Sequence, residues 1–246
     1  MIYIIILAYN EEKNIGAVIE SIHASLHGNH QIVVVNDGST DNTKSIVEKL
    51  GKSCNAVVVE HGINKGVGEG FRTGLTYVVE HGQENDIAIT MEADGTNDIN
   101  TIPLMEKKMA EGFDIVCSSR YQTGGGYYRF PLKRLLYSKG ANGLLSTFFP
   151  LSGIHDYTIF YRAYRVRAIR EGLSRYGKTL ITSKSFAANA EILIKLSRLG
   201  FRVSEVPVRY DYGHKKSRSR IQIRKTILEY FSLIWNERIK PSTLKV

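Results

Sequence analysis

Short apolar runs rich in β-branched residues recur along the first half of the chain: IYIIIL (2–7), QIVVV (31–35), AVVVE (56–60), DIAITM (86–91) and FDIVCSS (113–119). Between them, apolar residues return at helical spacing near 13–27, 41–51, 67–80 and 101–111. Strands that are apolar throughout are buried on both faces, and their alternation with helices predicts an α/β fold built on a mostly parallel, doubly wound sheet. DGSTDNT (37–43) supplies turn and N-cap chemistry ahead of the helix carrying Ile46, Val47 and Leu50. In such sheets ligands bind beyond the carboxyl ends of the strands. The polar clusters AYNEE, NDGSTD, HGINKG and EADGTND all fall at those ends.

After Arg120 the rhythm changes. YQTGGGYYRFPLKRLLYSKGANGLLSTFFPLSG (121–153) combines a glycine run with interleaved Arg, Lys, Tyr and Leu, and reads as a mobile loop followed by an amphipathic helix within 127–149. YTIFYRAY (157–164) then reads as a strand, AANAEILIKLSRLG (187–200) as a helix closed by Gly200, and FRVSEVPVRYD (201–211) as one further strand. The stretch 219–239 mixes Tyr230, Phe231 and Trp235 with Arg and Lys, which fits an interfacial amphipathic helix and equally a helix packed on the main body. The pattern divides the chain into a main domain over 1–218 and a basic, amphipathic helical segment over 219–246.

At 246 residues the chain can bury a substantial core. A net charge of +9 favours an anionic partner, with nucleic acid, phosphorylated small molecules and an acidic membrane surface all eligible. Cys54 and Cys117 are far apart and form no CxxC, which argues against a disulfide framework or a cysteine zinc site and suits a reducing cytoplasm. MIYIIILAYNEE lacks a basic leader and reads as a first strand. No window supplies the roughly 18 uninterrupted apolar residues of a membrane span, so membrane contact is expected to be peripheral.

Glu92 and Asp94, at i and i+2 after a strand, suit one divalent cation of the hard, oxygen-loving kind, magnesium or manganese; an acidic turn is the other reading of these two alone. Asp37 adds a third strand-end acid to the same rim. GVGEG (66–70) suggests a nicotinamide fingerprint, yet it follows the third strand and lacks the last glycine. His61, His155 and His214 have no metal-ligand spacing and read as structural, and Asp98 reads as a helix-start residue.

ILAYNEEKNI, VVVNDGSTDNT, NKGVGEGFRTG, MEADG and SSRYQTGGG, continued by DYTIFYRAYR and LGFRVSEVPVRY, occur in the order and spacing of family 2 glycosyltransferases. The chain resembles that family over about residues 2–218, and most resembles its dolichyl- or polyprenyl-phosphate mannose or glucose synthases. The resemblance implies a GT-A fold and an inverting transferase. It places the nucleotide sugar, GDP- or UDP-linked, at Ala8, Tyr9, Glu11, Asp37, Glu92, Ala93 and Asp94, with Asp37 pairing with the base. Glu92 and Asp94 take the metal-binding DxD positions, with Mg2+ or Mn2+ as cofactor. Glu92 replaces the usual Asp, and its extra methylene leaves direct ligation, ligation through water and contact with the ribose all open. Thr96 takes a further metal-side position and Leu7 replaces a proline.

Arg120, Arg134 and Ser138 match the positions that hold the acceptor phosphate, and with Asp94 the two arginines are the expected catalytic set. Two guanidinium forks suit a phosphate bidentately. A lipid phosphate is already anionic, so no general base is expected, and Asp156 reads either as ordering Arg134 or the acceptor or as a structural residue. Arg209, Lys215, Lys216 and Arg218 are candidates for closing on the diphosphate, and a solvated charge run is the equal alternative. The implied partners are the donor, a polyprenyl or dolichyl phosphate and the cytoplasmic face of a membrane, with a membrane-protein partner allowed and nucleic acid excluded. Transfer to a saccharide or lipid hydroxyl, and a non-catalytic membrane-associated binding protein, are the alternatives.

Overall fold

The structure is a computed structural model that describes residues 1–26, 28–214 and 222–239. Five strands follow the apolar runs: β1 (Ile2–Ala8), β2 (His30–Asp37), β3 (Ala56–His61), β4 (Ile87–Glu92) and β5 (Ile115–Ser119). Four helices alternate with them: α1 (Ile15–Ser25), α2 (Thr43–Cys54), α3 (Val67–His81) and α4 (Ile102–Ala110). Then come β6 (Gly126–Tyr128), α5 (Leu132–Phe148), β7 (Arg162–Arg165), α6 (Val166–Tyr176), α7 (Ala187–Arg198), β8 (Val203–Pro207), β9 (Arg209–Asp211) and α8 (Ile223–Ile234).

The main sheet has seven strands in the order β3-β2-β1-β4-β7-β5-β8, and β7 is antiparallel to both its neighbours. The pleat explains the unbroken apolar runs. Along β1, Ile4, Ile6 and Ala8 enter one core with α1, α2 and α4, whereas Tyr3 and Ile5 enter a second core with α3, α6, α7 and α8.

Three expectations are corrected. The run 157–164 pairs in the sheet only from Arg162, because Tyr157–Tyr161 instead lies as loop across the carboxyl ends of β4 and β5; Thr90 Oγ1 donates to the Phe160 carbonyl at 2.8 Å. The run 201–211 is two strands. Val208 N donates to the Ser119 carbonyl, and beyond it the chain pairs as β9 with β6 in a separate two-stranded sheet. That pairing also gives the expected mobile loop an ordered strand at Gly126–Tyr128. The helix within 127–149 begins at Leu132, and α7 does stop before Gly200, whose φ is +86°.

The glycines of GVGEG serve close packing. A Cβ on Gly68 would sit 1.9 Å from the Ser183 carbonyl oxygen, and one on Gly66, whose φ is +91°, 2.9 Å from that of Lys184. The loop before α7 therefore lies directly on the first turn of α3. The Gly68→Ala substitution should lower the unfolding free energy by about 1–3 kcal/mol. Gly143→Ala on α5, where a Cβ meets nothing within 4 Å, should raise it by about 0.4–1 kcal/mol. Calorimetric Tm values of the two variants check both signs.

Candidate active site

A cavity of about 620 Å³ lies beyond the carboxyl ends of β1, β2 and β4. Ala8, Tyr9, Glu11, Asp37, Glu92, Ala93 and Asp94, all expected at the nucleotide, line it together. Its opposite wall is Lys184–Phe186 with Gln222 and Lys225, which sequence reasoning missed. Glu229 of α8 fixes that wall by accepting from Ser185 N at 2.9 Å and Ser185 Oγ at 2.5 Å.

Each acid on the rim is oriented by near neighbours. Glu92 ends β4; its N–H donates to Asn97 Oδ1 at 2.8 Å, and Asn97 Nδ2 returns a bond to Glu92 Oε2 at 3.3 Å. Asp94 is buried, and its Oδ1 accepts from Thr96 N at 3.1 Å and Thr96 Oγ1 at 2.6 Å. Thr96 thus acts on Asp94. Asp98 accepts from Asn100 N at 3.0 Å and starts the single 3₁₀ turn before α4, as expected. Asp37 Oδ1 accepts from Lys65 N and His61 Nδ1, both at 2.8 Å, and Oδ2 from Gly66 N at 2.9 Å. His61 is therefore a positioning residue for the rim.

A smaller cavity of about 140 Å³ adjoins the first and shares Glu92, Phe160 and Phe186 with it. Arg120, Arg134 and Ser138 all line it, and Tyr137, Ala141, Ile223, Ile227 and Tyr230 make its apolar side. Arg120, at the exit of β5, grips Asp156 with Nε and Nη2, each 2.7 Å from a carboxylate oxygen, and Nη2 also reaches Thr158 Oγ1 at 2.8 Å. Asp156 therefore orders Arg120, not Arg134. Burial opposes the Arg120 charge, but Asp156 outweighs it and holds the guanidinium above its ordinary pKa. Burial likewise works to raise Asp156, and Arg120 overrides it, leaving the carboxyl below the ordinary range.

Arg134 differs. Its Nη1 donates to the Tyr212 hydroxyl at 2.9 Å and its guanidinium lies over the rings of Phe130 and Tyr212, while no carboxylate among the described residues pairs with it. Ser138 belongs to a hydroxyl chain with Tyr121, Tyr127 and Thr158, to which Asn142 donates. Sequence spacing does not reveal these partners.

A third cavity, of about 680 Å³, is also lined by Glu92 and Asp94, and Arg209 lines this one and not the first. Lys215, Lys216 and Arg218 lie outside the described residues. The two rim acids form an all-oxygen donor set facing a cavity of nucleotide size. That suits a hard divalent ion held by one or two carboxylates plus substrate phosphates. Among the described residues no three His, Cys, Asp or Glu side chains form a metal cage without substrate.

The sequence profile of "Glycosyl transferase family 2" matches residues 3–173. The chain belongs to that family. It is 32% identical over 209 residues to a polyprenol monophosphomannose synthase of Mycolicibacterium smegmatis, a match covering 84% of this chain and 76% of that one. It is 27% identical over 215 residues to an uncharacterized protein of Methanocaldococcus jannaschii, covering 86% and 82%. Among solved structures, glucosyl-3-phosphoglycerate synthase from Mycobacterium tuberculosis, in complex with Mn2+, UDP and glucosyl-3-phosphoglycerate, superposes with a TM-score of 0.70 at 19% identity, covering 99% of this chain and 81% of that one. The glycosyltransferase has the GT-A architecture, and it is an enzyme of the transferase class.

The buried Arg120–Asp156 pair generates a prediction. Asp156 has a depressed pKa in the folded state, so its contribution is fully present above the unfolded carboxylate value, about 3.9, and is lost as pH falls through the lower folded value. Asp156→Asn should cost about 3–5 kcal/mol at neutral pH, because it leaves Arg120 buried and unpaired. It should also flatten the acid limb of the stability profile, read from urea midpoints between neutral pH and the acid limit.

Proposed function

We propose that this glycosyltransferase moves a hexose from a nucleotide sugar to a polyprenyl or dolichyl phosphate, with inversion and with a divalent metal, Mg2+ or Mn2+. The observation that carries the proposal is the common wall: the cavity lined by the rim acids and the cavity lined by Arg120, Arg134 and Ser138 meet at Glu92, Phe160 and Phe186. A donor diphosphate at the first and an acceptor phosphate at the second bring the anomeric carbon and the attacking oxygen together.

Asp94 and Glu92 would hold the metal, which supplies Lewis-acid stabilisation of charge on the leaving diphosphate. Arg134 is the cation suited to bind the acceptor phosphate. Arg120 is mostly committed to Asp156 and serves chiefly to hold the pocket's positive charge in place. A phosphate oxygen attacks C1 from the face opposite the leaving group. The new C1–O bond forms as the bond to the diphosphate breaks, the nucleoside diphosphate departs with the electron pair, and no proton need be removed.

The hydroxyl-acceptor reading would need a base, and Glu92 is the one carboxylate among the described residues lining the acceptor cavity. Purified enzyme with sugar nucleotide and a short polyprenyl phosphate separates the two: a product labile to mild acid supports phosphate transfer, and no lipid-phosphate product from any donor rejects it. Arg134→Ala should reduce transfer by about 10²-fold or more, the scale of losing a charge-stabilising group. Donor affinity measured by calorimetry should stay unchanged; a parallel loss would remove Arg134 from the acceptor site.

Peripheral membrane contact is supported by the faces that flank the acceptor cavity. Leu132, Leu136 and Tyr137 on α5, and Leu228, Phe231 and Trp235 on or just after α8, are all exposed, with Lys133, Lys139, Arg224 and Lys225 beside them. On α8 these apolar positions fall at helical spacing on one face, opposite Tyr230, Leu233 and Ile234 in the core. No helix among the described residues is long and apolar enough to cross a membrane. Phe231→Glu with Trp235→Glu should reduce co-sedimentation with anionic vesicles while leaving Tm unchanged; undiminished binding would reject this face.

A further inference from the structure

Three side chains behind the smaller cavity set which way the Ser138 hydroxyl hydrogen points, an inference that rests on the acceptor-phosphate reading above. Tyr121 follows β5, Tyr127 lies on β6 and Asn142 on α5 one helical turn beyond Ser138. Ser138 and Thr158 line the cavity, whereas Tyr121, Tyr127 and Asn142 do not. A hydroxyl can give or accept, but a guanidinium only gives and an ionised carboxylate only accepts, so the fixed groups dictate the direction of the hydroxyl bonds between them.

Asn142 is turned by Tyr157 N, which donates to its Oδ1 at 2.7 Å and leaves Nδ2 facing the hydroxyls. The two Nδ2 hydrogens go to the two nearest oxygens, the Tyr121 hydroxyl at 3.2 Å and Thr158 Oγ1 at 3.3 Å; Asp156 Oδ1 is farther, at 3.5 Å. Thr158 Oγ1 also accepts from Arg120 Nη2 at 2.8 Å and gives its own hydrogen to Asp156 Oδ1 at 3.2 Å. Its two lone pairs and its hydrogen are then all in use, so it has nothing to exchange with Ser138 Oγ, 3.2 Å away. The Tyr121 oxygen is filled in the same way. It accepts from Asn142 and from the Tyr127 hydroxyl at 2.7 Å, which commits its own hydrogen to Ser138 Oγ at 3.3 Å.

Ser138 thus accepts from behind. For its own hydrogen the described residues leave only the Tyr127 oxygen, at 3.4 Å the longest of these hydroxyl contacts. A phosphate oxygen in the cavity is a charged acceptor, and bonds to such acceptors are about twice as strong as neutral ones, so it takes that hydrogen. We infer that Tyr121, Tyr127 and Asn142 are positioning residues for the acceptor phosphate, acting through Ser138 by holding its hydroxyl as a donor toward the cavity. Without the Tyr127 hydroxyl, a lone pair opens on the Tyr121 oxygen, and the Ser138 hydrogen can turn inward to it.

Calorimetric titration of the full chain with farnesyl phosphate, in a double-mutant cycle, tests this. Tyr127→Phe keeps the ring that lies 5.0 Å from the Arg120 guanidinium and removes only the hydroxyl. It should weaken binding about three- to tenfold, the scale of one hydrogen bond. In a Ser138→Ala background the same substitution should have no effect, because the hydroxyl through which it acts is gone. Tyr121→Phe, which removes the donor to Ser138 directly, should behave alike and serves as the second variant if Tyr127→Phe lowers Tm. An equal loss in both backgrounds, or undiminished binding by Ser138→Ala alone, overturns the inference. The two readings fail separately. Ser138-dependent coupling without any transfer product supports the positioning role and rejects lipid-phosphate transfer, transfer without coupling does the reverse, and no binding of farnesyl phosphate by the unsubstituted chain rejects both.

Discussion

The smaller of the two adjoining cavities depends on one buried ion pair. Arg120 leaves β5 and Asp156 sits on the loop that crosses the strand ends; each would be costly to bury alone, and their two-pronged contact is what allows both inside. The loop is held from beneath as well. Glu205 on β8 accepts from the backbone N–H of His155 at 2.8 Å and of Asp156 at 2.7 Å. Asn142 on α5 accepts from Tyr157 N at 2.7 Å. Strand, loop and helix are thereby locked around one charge pair, and the polar end of the small cavity takes its shape from that lock.

The larger cavity is organised by carboxylates that bind backbone. Asp37 captures two successive N–H groups of the turn entering α3, Glu191 accepts from Thr182 and Ser183, and Glu229 accepts from Ser185. An acid gripping loop amides fixes the path of the chain without secondary structure, which suits segments that must line a cavity. Glu191 is itself buried beside Lys195, which also approaches Glu237 beyond α8 at 3.3 Å, so the far end of that helix is tied to the same group of charges.

Much of this was legible in the sequence. Apolar runs located five strands within a residue or two, and the polar clusters after them named the rim residues that line one cavity. What spacing did not reveal was partnership. Asp156 lies 36 positions from Arg120, and helical periodicity relates Arg134 to Ser138 but says nothing of Tyr121 or Tyr212, which arrive from other elements. The brief antiparallel β7 was also hidden, because YTIFYRAY is apolar enough for a strand throughout, and only the need to cover the strand ends draws its first half away. His61 looked like core filling; its role depends on β3 lying beside β2 in register, with Asp37 opposite His61.

Helix α8 has two cavities behind it and an exposed face in front. Gln222 and Lys225, at its entry and first turn, reach the larger cavity; Ile223, Thr226, Ile227 and Tyr230 wall the smaller one; Leu228 and Phe231 face outward. A single rigid rod with three such faces makes its seating a shared variable. A ligand on the outer face that favoured one seating of α8 would, by thermodynamic reciprocity, be favoured in turn by whatever fills the two cavities in that seating.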